Sequence, residues 1–137
     1  MSLLARLGIG RKVEFSEGQV WAYKTRLGED SSTLLIQKVE ANTAIGPIFH
    51  ISILDVRIRN SQAAEGITTE MSHAPVTRQT LDQSCTRLVG RGTSDERYLD
   101  GYAEWKRSFD AGDAGVFTIS VAEIVAGIET AINGGSR

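Results

Sequence analysis

Cysteine is almost absent from this sequence. Cys85 is the only one in 137 residues, which excludes an internal disulfide and suits a reducing compartment. No apolar run approaches the ~20 residues a membrane-spanning helix needs. Met1–Gly10 begins apolar, but Arg6 interrupts it, and the stretch is too short for a signal peptide. A surplus of positive charge is missing too. The formal net charge of −2 argues against a dedicated nucleic-acid binder and leaves room only for a local basic patch. There is no serine elbow, dinucleotide fingerprint or phosphate loop. Gly8-Ile9-Gly10-Arg11-Lys12 has the glycines of a phosphate loop, without a strong strand before it, a helix after it or a Gly-Lys-Ser/Thr ending. Internal repeats, linkers and low-complexity tracts are absent as well. What remains has 41% hydrophobic and 23% charged residues, the composition of a soluble globular domain, expected in the cytoplasm.

The most informative stretch present is Pro47–Asn60, PIFHISILDVRIRN. Its β-branched and aromatic residues suit a packed, pleated surface. Phe49, Ile51 and Ile53 share one face, after which Leu54, Val56 and Ile58 take over the apolar positions. A strict period of two cannot hold both sets inside, whereas one extra residue near Ile53–Leu54 can. The stretch therefore predicts a long strand, bulged or bent at its middle. Gln19–Arg26 alternates with Trp21 and Tyr23 inward. In Thr33–Glu40, the succession Leu34, Leu35, Ile36 predicts a central strand buried on both faces. Short turns between these segments favour an antiparallel meander. Ser61–Ala74 is expected to be a long loop, a candidate lid, in which Gly66–Met71 could add a short edge strand.

The second half is predicted to be helical. One helix is expected from Thr77 to about Val89, with Leu81, Cys85, Leu88 and Val89 on one stripe. Tyr98, Tyr102, Trp105 and Phe109 recur at steps of four, three and four, an aromatic stripe expected to be core. Asp110–Gly115 ends that helix, and Val116–Ile119 reads as a short strand. Ser120 and Glu123 have the spacing of a capping box, opening a helix that turns Val121, Ile124, Val125, Ile128, Ala131 and Ile132 inward. Asn133-Gly134 stops it. The expected fold is α+β: an N-terminal antiparallel bent sheet or small open barrel covered by two or three C-terminal helices. One domain is expected over 1–137, with a loose arm at 1–12 and a disordered tail at 134–137.

The strings Gly18-Gln19-Val20-Trp21-Ala22-Tyr23-Lys24-Thr25-Arg26, His50-Ile51-Ser52, Gly101-Tyr102-Ala103-Glu104-Trp105-Lys106 and Gly115-Val116-Phe117-Thr118-Ile119 resemble a family of short bacterial proteins of uncharacterised function. The resemblance covers about residues 17–133 and implies no activity, so it brings no catalytic residue with it.

Chemistry-bearing residues are sparse. Cys85 lies on an apolar stripe and reads as a buried small residue rather than a nucleophile. His50, His73, Glu70 and Cys85 lack zinc-type spacing, so neither a metal nor any other cofactor is expected. The strongest pattern is electrostatic. If the apolar sets of the first and third of these strands face inward, Leu54, Val56 and Ile58 after the slip included, then Lys24, Arg26, His50, Ser52, Arg57 and Arg59 face outward. Residues 1–60 carry eight Lys/Arg and six Asp/Glu, and residues 61–137 carry seven and eleven. Lys24, Arg26, His50, Arg57 and Arg59 are thus the candidate binding residues, either a solvated face or a docking surface for an acidic partner. The expected function is a non-enzymatic binding or interaction module, regulatory or immunity-like, acting on an acidic protein or forming a homo-oligomer, without membrane or metal. One alternative is a small enzyme using His50 or His73 as acid/base under the 61–74 loop. Another is RNA or acidic-partner binding through the basic face.

Overall fold

A computed structural model describes residues 13–134. The expected arm at 1–12, and the expected tail beyond Gly134, lie outside the described residues. Five strands form one open sheet: β1 (Gln19–Tyr23), β2 (Thr33–Glu40), β3 (Ile48–Arg59), β4 (Ile67–Thr77) and β5 (Cys85–Arg91), in the order β4-β3-β2-β1-β5. Every neighbouring pair is antiparallel. Helix α1 (Arg78–Ser84) joins β4 to β5. A 3-10 turn (Glu96–Tyr98) leads into α2 (Leu99–Asp110), and α3 (Val121–Ile132) closes the chain. The α+β architecture expected from the sequence is the one observed, as an open sheet with a meander of four strands.

The sheet is strongly curled, and α1 demonstrates it. Four interstrand spacings of a flat sheet are about 19 Å, whereas a helix of seven residues rises only about 10 Å. Thr77 still pairs with Ile48 at one edge, and Cys85 pairs with Tyr23 at the other. The edges must therefore bend toward each other around α1. Trp21, Tyr23, Leu34, Ile36, Phe49, Ile51, Ile53, Val56 and Ile58 line the concave side and pack with Leu81 of α1 and Val121, Ile124 and Val125 of α3. The capping box of α3 is present as expected, with Ser120 accepting from the Glu123 amide and Glu123 from the Ser120 amide.

The phase slip in β3 is also present. Pairing with β4 shifts between Leu54 and Ile58, and Asp55 adopts φ +57°, a left-handed conformation that non-glycine residues seldom take. Carboxylates from elsewhere satisfy the displaced backbone. Glu29 accepts the Arg57 amide (2.7 Å), and Glu129 of α3 accepts the Arg59 amide (2.7 Å). Arg26 binds Glu29 in bidentate fashion (2.9 and 2.8 Å) and reaches Glu129 as well (3.0 Å).

Three expectations need correction. The helix predicted over Thr77–Val89 ends at Ser84, and Cys85–Arg91 is the edge strand β5. The reason is that Leu88 and Val89 never reach the core: Tyr23 and Trp21 offer a free strand edge, which β5 pairs instead. The long loop predicted at 61–74 shortens to the turn before Ile67, since residues 67–77 extend along β3. The short strand predicted at Val116–Ile119 makes only one parallel bridge, Phe117 to Val76.

Candidate functional site

The convex side of the sheet was expected to be wet. At its β3 end it is covered instead, because α2 lies across it. His50 and Ser52 alternate with the core residues as predicted, yet both are 0% exposed. Two register shifts meet here. β2 carries an extra residue at Gln37, and β4 carries one at Ser72–His73. Such bulges re-aim side chains. Gln37 donates to Ser52 (3.0 Å), whose hydroxyl donates to the Ser72 carbonyl (2.8 Å). The Gln37 amide oxygen accepts from Ser94 and from the Asp95 amide, both at 3.1 Å, and so pins the loop that leads into α2.

Beside this network runs a chain of three titratable groups. Glu40 of β2 meets His50 Nε2 at 2.9 Å, and His50 Nδ1 meets His73 Nε2 at 2.9 Å. Glu40 also accepts from the Tyr102 hydroxyl (3.0 Å) and from Lys106 Nζ (2.9 Å), both on α2. Burial alone would raise the Glu40 carboxyl, but bonds from Lys106, His50 and Tyr102 outweigh it and hold the group below its usual range. Glu40 is therefore the acceptor, and the tautomers follow. His50 donates from Nε2 and accepts at Nδ1; His73 donates from Nε2 and keeps a bare Nδ1. Among the described residues that Nδ1 has no partner. Among the described residues no fully buried side-chain nitrogen or oxygen lacks one, so the atom is in part exposed to solvent.

Both histidines are neutral at pH 7. Burial lowers His50 despite its carboxylate neighbour, so its contact with Glu40 is a hydrogen bond rather than an ion pair. Burial and the adjacent His50 push His73 down to about 4. The aromatic stripe of α2 supplies the cover. Tyr102 and Trp105 set their rings against His50 with centroids 4.8 and 5.0 Å away. Gly101 permits the approach: a Cβ there would lie 2.9 Å from His73 Cβ. The stripe expected to be core is thus only half-buried, and no residue of α2 is fully buried.

Trp105 continues from the histidines to a cleft. It stacks on Phe109 (4.6 Å, 22°) and donates from Nε1 to the Gly115 carbonyl (2.8 Å). Phe109 and Gly115 line an open cleft of about 560 Å³ with Ile45, Pro47, Val116, Thr77, Thr118, Arg78 and Gln79. Backbone bonds between Phe117 and both Pro75 and Thr77, and Gln83 bonding the Thr118 carbonyl, hold the 116–118 wall to β4 and α1.

The five candidate binding residues do not form one patch. His50 is buried under α2, seven residues and roughly 20 Å of strand from Arg57. That corrects its expected exposure to solvent: His50 does point away from the core, but over it that face is covered by α2. Arg26 is held by Glu29 and Glu129. Lys24, Arg57 and Arg59 remain exposed. Ser52 joins the buried polar network. Cys85, expected mid-helix, begins β5, and burial, followed by the charge of Asp82, pushes its thiol up to about 12. Among the described residues no group of three or more His, Cys, Asp or Glu could hold a metal ion, and no helix is long and apolar enough to cross a membrane. Sequence reasoning missed Glu40, Tyr102 and Lys106. The one available signal was the helical spacing of Tyr102, Trp105 and Lys106, which puts them on one side of a helix.

Comparison with protein-family models, with curated proteins and with solved structures finds no match to this chain.

Proposed function

We propose that the protein is a small, non-enzymatic binding module that takes a small apolar ligand in the cleft between Phe109, Val116 and the start of α1. One observation carries this reading. The cleft is concave and walled by Phe109, Val116, Ile45 and Pro47, with Arg78, Gln79 and two threonines as its polar groups and no histidine. Its volume falls within the ~300–1,000 Å³ of small-molecule sites, which are mostly apolar with a few polar groups to orient the ligand. An acidic partner would instead meet Lys24, Arg57 and Arg59, whose side chains stay in solvent.

The test uses the neutral fluorophore N-phenyl-1-naphthylamine at pH 7.5. Saturable binding is expected, weakened at least tenfold by Val116→Asp, which puts a charge into the wall. Equal binding by the variant, or no binding by the wild type, would sink the cleft reading.

A second reading, a small acid–base enzyme, is favoured by the open Nδ1 of His73, backed through His50 by Glu40. Hydrolysis of 4-nitrophenyl acetate, faster than by free imidazole and lost in His73→Gln, would support it. A rate equal to that of imidazole would remove it.

A further inference from the structure

We propose that the histidine pair is a proton-operated latch on the ligand cleft: a proton taken up at His73 releases α2, and Phe109 leaves the cleft wall with it. The inference rests on the cleft reading above and concerns its regulation.

The geometry supplies the connection. Trp105 touches the histidines on one side and stacks on Phe109 on the other, while its Nε1–H holds the cleft's Gly115. One indole is therefore shared by both places. Phe109 follows Trp105 by four residues, so the two ride on the same face of α2. The proton has a way in, because His73 Nδ1 opens to solvent. The helix is lightly held, since none of its residues is fully buried. Its seat is mainly polar: Tyr102 and Lys106 on Glu40, and Gly101 against His73.

The surroundings set the direction. Lys38 and Glu40 face the pair from β2, and Lys38 and Lys106 both disfavour a charge on His50. On α2, Tyr102 and Lys106 are already engaged with Glu40, and Lys106 also reaches Asp110. On the strand of His73 itself, Glu70 is paired with Arg97. Among the described residues Glu40 is the single carboxylate bonded to the pair, and it lies on the far side of His50 from His73. A cation on His73 is consequently unfavourable while α2 is seated, and ordinary once α2 has lifted. By linkage the released state binds the proton more tightly, so acidification favours release, and a bound ligand opposes proton uptake. With His73 at about 4 when covered and 6.5 when free, seating weakens by up to about 30-fold between pH 7.5 and pH 5.

The experiment measures N-phenyl-1-naphthylamine affinity from pH 7.5 to pH 5 in the wild type and in His73→Gln, whose amide can still donate to His50 but does not titrate. Wild-type affinity is expected to fall severalfold, with about 30-fold as its ceiling, and the variant should change less than twofold. A pH-independent wild type that binds at pH 7.5 would overturn the latch and leave the cleft reading standing. No binding at pH 7.5 would remove the cleft reading and the latch together. Should His73→Gln not fold, Trp21→Phe leaves Trp105 as the only tryptophan. Its emission should shift with a midpoint between pH 4 and 6.5 at unchanged far-ultraviolet circular dichroism. A constant emission, or loss of the whole fold in that interval, overturns the proposal.

Discussion

Glu40 is the residue on which most of the buried polar chemistry depends. It accepts from a β3 histidine and from two α2 side chains, and so joins two layers through one carboxylate. Removing it leaves the Nε2–H of the buried His50 without its carboxylate acceptor. Glu40→Ala is expected to cost about 2–4 kcal/mol at pH 7 by chemical denaturation. A loss below ~0.5 kcal/mol would mean that solvent replaces the carboxylate freely. The histidines add a pH dependence of definite sign. Both are lowered in the folded protein, so their contribution is complete above pH 6.5 and is lost as pH falls below it, that of His73 by about 4. Glu40, also lowered, adds a loss below its ordinary carboxyl range. Stability should decline from pH 6.5 downward, with His73 contributing on the order of 2 kcal/mol after allowance for its partial exposure. Denaturation midpoints flat from pH 7 to 5 would contradict this.

Helix α2 shows how an element can be seated by shape as much as by apolar burial. Glycine inside a helix costs ~1 kcal/mol against alanine, yet Gly101 stands in its first turn because a Cβ would press on His73. Gly101→Ala should therefore destabilise by about 1–3 kcal/mol, against the gain in helix propensity. Trp105 emission should shift in the same variant as the helix moves outward. A stabilised variant would show that α2 accommodates the methyl group without displacement. Strand β5 displays a different kind of element logic. It is an exposed edge with two register shifts and with Arg87 and Arg91 among its residues. Bulges and charges of this kind keep an edge from pairing with other chains.

Across the whole molecule, the curl of the sheet and the cluster of Arg26, Glu29 and Glu129 belong together. The cluster links the β1–β2 turn, the bulge of β3 and the last helix. Glu29 is 3% exposed, so loss of its guanidinium partner would leave a buried carboxylate with the Arg57 amide as its one remaining partner. Arg26→Ala should cost about 2–4 kcal/mol. Arg57→Ala should stay within ~0.5 kcal/mol, because Arg57 meets the cluster through its backbone while its side chain is in solvent. Thermal or chemical denaturation of the two variants checks the contrast. Equal losses would mean that the arginine side chains share the role.

Local pattern alone determined the meander of Gln19–Arg26, Thr33–Glu40 and Pro47–Asn60, the inward Trp21 and Tyr23, the bulge in β3 and the capping box at Ser120. Each of these depends on side-chain period or on bonds within a few residues, and those are written in consecutive letters. Tertiary structure decided the rest. Leu88 and Val89 match a helical stripe, but β1 offered a free edge, and a strand formed there. His50 and Ser52 alternate outward from the core as the letters say, but only the placement of α2 decides whether outward means water or a second layer. Glu40, His73 and Lys106 are far apart in sequence, so nothing in their spacing joins them. They meet because the sheet sets β2, β3 and β4 side by side, with bulges at Gln37 and Ser72–His73, and because Gly101 lets a helix rest directly upon them.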